Sequence, residues 1–178
     1  MGKKIGIVGL WDENNYGAVL TAWSMYSFLE ENGYEPFFVQ FIKDKCAESN
    51  AGKFLRARCR VSECAETIQE AHELTKDTDI FMTESDQCWH GRWITELYGF
   101  RFFLNFVDDS KKKISYATSF GTKEFFGDEE EKKCVLRYLR TYDALSVREK
   151  NSAILYSRRL NRKVEWAIDP VFLVDKAA

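Results

Sequence analysis

The segment from Ser85 to His90 places six chemically different side chains in a row: hydroxyl, carboxylate, amide, thiol, indole and imidazole. Asp86 could deprotonate or orient a sugar hydroxyl, with Gln87 and Ser85 as further hydrogen-bonding groups. Trp89 could stack on a sugar ring. The alternative is structural, with Asp86 as a helix N-cap and Trp89 buried in the core. The segment is a candidate catalytic and sugar-binding site.

A second polar cluster, residues 11–18, lies between a short apolar run and an apolar pattern with helical spacing. The N-terminus of a helix can hold an anion or a hydroxyl-rich ligand. Gly17 would let such a ligand approach the backbone beside Tyr16, and Asn14 and Asn15 offer donors and acceptors. The G-x-G-x-x-G fingerprint is absent, which disfavours a dinucleotide. The alternative is that Asn15 is an N-cap and Gly17 a turn residue.

A third candidate is Arg148, which lies between a predicted strand and a predicted helix. Its guanidinium could bind a phosphate or carboxylate through two parallel hydrogen bonds. The alternative is an ion pair with Glu149 or with another acid, and such surface pairs contribute little.

The elements that must position these groups alternate between strand and helix, which predicts βαβ units and a mainly parallel sheet. We predict strands at residues 4–10, 36–42, 79–83, 113–120, 143–148 and 164–168. Helices are predicted from about residue 19 to Asn32-Gly33, from Ser62 as N-cap to about Lys76, from Asp128 onward, and over 149–160. Residues 43–60 are predicted to be a long connection. Open parallel sheets bind ligands at the carboxyl ends of their strands, where all three clusters fall.

The bulk properties describe one globular domain of 178 residues with a formal net charge of −2. That balance gives no general attraction to nucleic acid or anionic membranes. The five cysteines and two histidines have no spacing typical of a metal site or a disulfide framework. No signal peptide or transmembrane segment is apparent, so we expect a cytoplasmic protein.

Two further runs are assigned structural roles. The lysines at 111–113 are predicted to form a solvated turn before a strand. The aromatic residues that follow the first candidate site are expected to fill the core or a domain interface rather than a sugar groove: Trp93, Tyr98, Phe100, Phe102, Phe103 and Phe106.

Taken in order, several pieces of the chain resemble the polysaccharide pyruvyl transferase family. They are residues 5–10 with 14–20, 79–81 leading into Ser-Asp-Gln-Cys-Trp at 85–89, 113–121, 144–149, and Asp-Pro at 169–170. Their order and spacing span almost the whole chain. One departure is Glu84, where the family usually has a glycine before Ser-Asp-Gln.

The resemblance implies a Rossmann-like α/β/α domain, similar to the N-terminal half of a GT-B fold, over residues 1–178. It implies that a C-terminal domain, absent from this chain, completes the active site, or that the chain associates with itself. The donor would be phosphoenolpyruvate, with no further cofactor, and the acceptor a sugar or lipid-linked oligosaccharide that receives a pyruvyl ketal. Asp86 is then expected in acid-base chemistry and Arg148 at the donor anion.

Two competing functions stay open from the sequence. The chain could be half of a nucleotide-sugar glycosyltransferase, because a shared fold does not fix the function. It could also be a non-catalytic module that binds carbohydrate or a partner protein, with an exposed apolar patch where that partner docks.

Overall fold

The computed structural model describes residues 2–41 and 49–174, with the backbone alone for 92–94. Five parallel strands form the main sheet in the order β3-β2-β1-β4-β5. They are β1 (Lys4–Val8), β2 (Glu35–Gln40), β3 (Val61–Cys64), β4 (Ile80–Thr83) and β5 (Lys112–Ser115). Two short strands, β6 (Ser146–Val147) and β7 (Glu165–Trp166), pair in parallel beside β5. The predicted parallel α/β architecture is confirmed.

Six helices connect the strands within the described part of the chain. They are α1 (Tyr16–Glu31), α2 (Asn50–Arg56), α3 (Ile68–Leu74), α4 (Arg92–Tyr98), α5 (Glu129–Arg140) and α6 (Lys150–Leu160), with short 3₁₀ turns at Arg101–Phe103 and Pro170–Phe172. Helix α5 begins as predicted, because Asp128 and Glu131 form a reciprocal capping box at its N-terminus. Gly33 has a φ of 82° just beyond α1, the left-handed conformation that glycine adopts without strain.

Two apolar clusters cover the two faces of the sheet and make the fold three-layered. Successive strand residues point to opposite faces, so Phe38 and Val39 of β2 belong to different clusters, as do Phe81 and Met82 of β4. Helices α1 and α2 supply one cluster, and α5 and α6 supply the other. The predicted aromatic run follows this arrangement, since Tyr98, Phe102, Phe103 and Phe106 are buried and Phe100 packs against them. The side chain of Trp93 lies outside the described part.

Three predictions of local structure are wrong. Ser62 does not cap a helix: it lies in β3, which pairs with β2, and Thr67 caps α3 through a capping box with Glu70. The predicted connection over 43–60 contains α2 in its described part. The lysine run is not a solvated turn, because Lys113 is a buried residue of β5. For Ser62 and Lys113, strand pairing with a distant segment overrides the local preference.

The cysteines that the structure describes, Cys59, Cys64, Cys88 and Cys134, are free thiols, while Cys46 lies outside the described residues. Over the same part of the chain, no helix is both long enough and apolar enough to cross a membrane.

Candidate active site

The three polar clusters predicted from the sequence lie at one edge of the sheet, where the parallel strands end. The loop after β1 carries Asn14 and Asn15, the loop after β4 carries Asp86, and Arg148 follows β6 directly. A fourth group, Asp169, follows β7 and joins them. We call this region, with Glu84 beneath it, the carboxyl edge.

Asp86 has an unusual backbone conformation, with a φ of 125° that side chains other than glycine rarely adopt. Its Oδ1 accepts a 2.7 Å hydrogen bond from the Gln87 amide and lies 4.0 Å from Nη2 of Arg148. Burial raises the pKa of the Asp86 carboxyl, although the Gln87 amide and the Arg148 guanidinium oppose that shift. Strain of this kind is found preferentially at functional sites. The helix N-cap alternative for Asp86 is not what the structure shows.

Arg148 forms an ion pair with Asp169, which agrees with the alternative that it pairs with an acid. Its Nη1 donates to Oδ2 of Asp169 at 3.0 Å. Oδ1 of Asp169 accepts from the Val171 amide at 3.1 Å and from Oγ1 of Thr21 at 3.3 Å. Asp169 therefore connects Arg148 to α1 and to the 3₁₀ turn at Pro170–Phe172. The sequence pointed to Asp169 only as part of an Asp-Pro pair.

Glu84 occupies the floor of the carboxyl edge with 1% of its surface exposed. It packs so closely on Gly9 that a Cβ added to Gly9 would lie 2.1 Å from Cγ of Glu84. The Leu10 amide hydrogen-bonds the carboxyl, whereas Oε2 has no hydrogen-bond partner among the described residues. Burial raises the pKa of Glu84 well above its ordinary value, and the nearby Asp86 raises it further. Burial therefore favours the protonated form of Glu84 over its carboxylate.

A cavity of about 380 Å³ opens between the β1–α1 loop and the β4 loop. Its polar lining consists of Glu13, Asn14, Asn15, Asp86 and Gln87. Asn15 is the N-cap of α1, because its Oδ1 accepts from the amides of Gly17 and Ala18 at 2.8 and 3.3 Å. The side chain of Asn14 is exposed. Of the predicted loop residues, Asn14 and Asn15 thus line the cavity, with the oxygen of Asn15 engaged in capping.

Two of the residues predicted to contact substrate have buried side chains. Trp89 is 1% exposed, donates from Nε1 to the Phe102 carbonyl at 3.0 Å, and stacks on Phe103 at 5.5 Å between ring centroids. Ser85 is completely buried, and its hydroxyl donates to the Ala117 carbonyl at 3.0 Å. Neither can contact a sugar in this structure. Both residues anchor the loop that carries Asp86.

The exposed aromatic ring beside Arg148 is Trp166, at the end of β7. It is 58% exposed, its Nε1 donates to the Arg148 carbonyl at 3.1 Å, and the Lys150 amine lies 5.7 Å from the ring centroid. Sequence reasoning missed Trp166 because a two-residue strand has too little periodicity to reveal which face is covered. Tyr16, at the first position of α1, is also largely exposed.

The carboxyl edge is rich in acids: Asp12, Glu13, Glu84, Asp86 and Asp169 lie around Arg148. Even so, within residues 2–41 and 49–174 no three His, Cys, Asp or Glu side chains are arranged to hold a metal ion. The arrangement can bind hydroxyl groups, since it offers carboxylate and amide acceptors beside a guanidinium donor.

Comparison with models of protein families assigns the chain to a family. The model of the polysaccharide pyruvyl transferase family matches residues 15–178. The chain therefore belongs to the polysaccharide pyruvyl transferase family, as the sequence motifs predicted. A direct comparison with curated proteins finds no match.

Among solved structures, the chain is similar to an alpha-glucosyltransferase determined in complex with UDP and a 13-mer DNA containing a HMU base. The TM-score is 0.58 at 14% sequence identity, and the match covers 96% of this chain. At that identity the likeness concerns the fold alone, which is GT-B-like. The chain spans 43% of the length of that glucosyltransferase.

Proposed function

We propose that this chain forms the acceptor-binding half of an enzyme that transfers a pyruvyl group from phosphoenolpyruvate to a sugar in polysaccharide biosynthesis. A second domain, on another part of the protein or another chain, would complete the active site. The observation that carries the proposal is the strained, partly buried Asp86 at the mouth of the cavity, beside Arg148. The reaction would take place in the cytoplasm, where free cysteines remain reduced.

The proposed reaction makes two bonds from the donor to the sugar. C2 of phosphoenolpyruvate forms C–O bonds to two sugar hydroxyls, its bond to the phosphate oxygen breaks, and its methylene carbon gains a proton. Of the two hydroxyl protons, one accounts for the proton that turns the methylene into a methyl group. The other leaves with inorganic phosphate. The enzyme needs a group that accepts a hydroxyl proton and one that delivers a proton to carbon.

Asp86 is proposed to accept the proton of the sugar hydroxyl. Partial burial raises the pKa of its carboxyl, which makes the carboxylate a stronger base than an exposed aspartate. Its position at the cavity also suits a hydroxyl, with Asn14 and Gln87 as neighbours able to bind adjacent hydroxyls. The exposed ring of Trp166 lies with α6 and the Lys150 amine, outside this cavity, so it is not assigned a role in binding the sugar.

Arg148 is proposed to bind the donor anion, but only in part. Asp169 already occupies Nη1 of its guanidinium, which has five N–H donors. The surrounding carboxylates repel an anion, and two of them, Asp86 and Glu13, line the neighbouring cavity. We therefore propose that the second domain supplies most of the positive charge that holds phosphoenolpyruvate, while this half selects the acceptor.

The proposal is tested by calorimetric titration of the full chain with phosphoenolpyruvate, a nucleotide sugar and a panel of oligosaccharide acceptors. With the second domain present, phosphate release and mass spectrometry of the acceptor measure the transfer itself. Asp86→Asn, which keeps the shape of the side chain, is expected to lower the transfer rate by about 10²–10⁴-fold. Arg148→Ala is expected to weaken donor binding. Arg140→Ala, an exposed arginine of α5, serves as the matched control.

Two results would contradict the proposal. Binding of the nucleotide sugar without binding of phosphoenolpyruvate or pyruvyl transfer would identify a glycosyltransferase half instead. Acceptor binding with no transfer in the completed enzyme would favour a non-catalytic carbohydrate-binding module.

A further inference from the structure

A second cavity lies at the opposite edge of the sheet, where β5 begins and α5 ends. Its volume is about 320 Å³, and its polar lining includes Asn105, Asp109, Lys113, Arg137, Tyr138 and Thr141. It shares no residue with the cavity at the carboxyl edge. The length of β5 separates the two, because Lys113 is near the start of the strand and the carboxyl edge lies beyond its end.

Lys113 is an unusual residue to find in the wall of a cavity. Its side chain is only 3% exposed, and its amine donates to Oδ1 of Asp109 at 2.7 Å and to Oγ1 of Thr141 at 3.4 Å. An ammonium group has three N–H donors. These two hydrogen bonds therefore leave one donor of Lys113 for a ligand.

Asn105, by contrast, has a hydrogen-bond acceptor without a partner in the described part of the chain. Its Oδ1 is buried and has no hydrogen-bond partner among the residues that the structure describes. A buried carbonyl oxygen without a partner is costly, so such atoms are usually satisfied by water or a ligand. Asn105 thus carries an unpartnered acceptor just behind the lining of the cavity in which Lys113 offers a donor.

The mouth of the cavity is balanced in charge. Asp108 and Asp109 are both exposed there, and Arg137 lies opposite with its guanidinium carbon 5.2 Å from the centroid of the Tyr138 ring. The negative charges of the two acids are balanced by the positive charges of Lys113 and Arg137. The cavity therefore does not select an ion by net charge. A ligand that both donates and accepts hydrogen bonds without a charge of its own fits this lining best.

We propose that this cavity binds a neutral pyranose ring, either as a free sugar or as a unit of a glycan chain. Hydroxyl groups would accept from Lys113 and Arg137 and donate to Asp109, and to Asn105 once its amide turns toward the ring. The volume is at the small end of the range of ligand pockets, about 300–1,000 Å³, which suits one ring rather than a chain of several. The site does not depend on the transfer reaction proposed above, because it uses none of the residues of the carboxyl edge.

The test is a titration of the full, isotope-labelled chain followed by NMR, with D-glucose, D-galactose and D-mannose, their β-linked disaccharides, and inorganic phosphate. We expect a sugar to shift the amide signals of residues 105–109, 113 and 137–141 with a millimolar dissociation constant. Asn105→Ala is expected to weaken that binding about fivefold, the effect of losing one neutral hydrogen bond. Thr141→Val, of similar shape, is the second variant, because replacing the buried Lys113 endangers folding.

Gln69→Ala, an exposed amide of α3 that lines neither cavity, is the matched control and is expected to leave this binding unchanged. If a disaccharide binds more tightly than its monosaccharide, the ligand is a unit of a glycan chain. If the two bind equally, the ligand is a free sugar. Either result supports the proposal. Absence of shifts up to about 50 mM of every sugar, far above a millimolar dissociation constant, would overturn it. Shifts caused by phosphate alone would overturn it in favour of an anion site.

Discussion

Asp86 and Trp89 are three residues apart in the chain, yet their environments differ in almost every physical respect. Around Trp89, aromatic rings are buried and stacked, and the indole N–H and the Tyr142 hydroxyl both have partners. Around Asp86, the backbone has a positive φ, and the Glu84 carboxyl beneath it is buried with one oxygen unpartnered. The core stabilises the fold, and the carboxyl edge holds strained and buried polar groups at a cost in stability.

The largest expected effect is on the core side of this comparison. Trp89→Ala should lower the free energy of unfolding by about 3–5 kcal/mol, because it removes a fully buried ring and its hydrogen bond. Trp166→Ala, with a mostly exposed ring, should cost less than about 1 kcal/mol. Urea denaturation followed by circular dichroism measures both. Similar losses for the two variants would break the distinction between core and edge.

Gly9→Ala tests the contact between Gly9, which follows β1, and Glu84 of the carboxyl edge. The new Cβ would lie 2.1 Å from Cγ of Glu84, so we expect a loss of about 1–3 kcal/mol in unfolding free energy from overpacking. Glu84→Gly should remove the clash. The cost of Gly9→Ala should therefore largely vanish in the Glu84→Gly background, and an unchanged cost there would show that the strain lies elsewhere.

Asp86→Gly should separate stability from function. Glycine adopts a φ of 125° without penalty, so the substitution should raise the free energy of unfolding by about 1 kcal/mol. It should also abolish transfer, because the proposed base is lost. Asp86→Asn retains the strained backbone and should not gain stability to the same extent. If Asp86→Gly is less stable than the natural protein, the ion pair with Arg148 outweighs the strain.

Glu84→Gln should give the smallest change, and one that depends on pH. In the unfolded chain Glu84 ionises near its ordinary pKa of 4.5, whereas burial keeps it protonated to higher pH in the folded state. The folded state therefore binds more protons above pH 4.5, and stability falls as the pH rises from there toward the folded pKa. Glutamine cannot ionise and escapes this loss.

We expect Glu84→Gln to melt at about the same temperature as the natural protein below pH 4.5 and at a higher temperature at neutral pH. Calorimetric melting curves from pH 4 to 8 would measure the difference. A difference that stays constant with pH would show that Glu84 does not change its protonation on folding.

Much of the fold follows from local patterns in the sequence. The apolar run before residue 10 predicts β1, Asn32-Gly33 predicts the end of α1, and Asp128 predicts the start of α5, because strand burial and helix capping depend on near neighbours. The polar clusters also follow, since the carboxyl ends of parallel strands meet at one edge. The sequence thus predicted that Asn14, Asp86 and Arg148 come together at one edge of the sheet.

The remaining features depend on contacts between distant residues. Ser62 lies in a strand because β2 offers a free edge, and Lys113 is buried because Asp109 and Thr141 meet its amine. The pairing of Arg148 with Asp169 joins residues 21 positions apart.

The sequence by itself determined the family, the parallel sheet and the edge at which its polar groups gather, since these follow from residue type and spacing. The tertiary structure alone decided that Trp89 supports the core, that Trp166 is exposed beside Arg148, and that Glu84 is buried beneath Asp86. Burial and pKa depend on what surrounds a side chain in three dimensions, and no local pattern in the sequence records those surroundings.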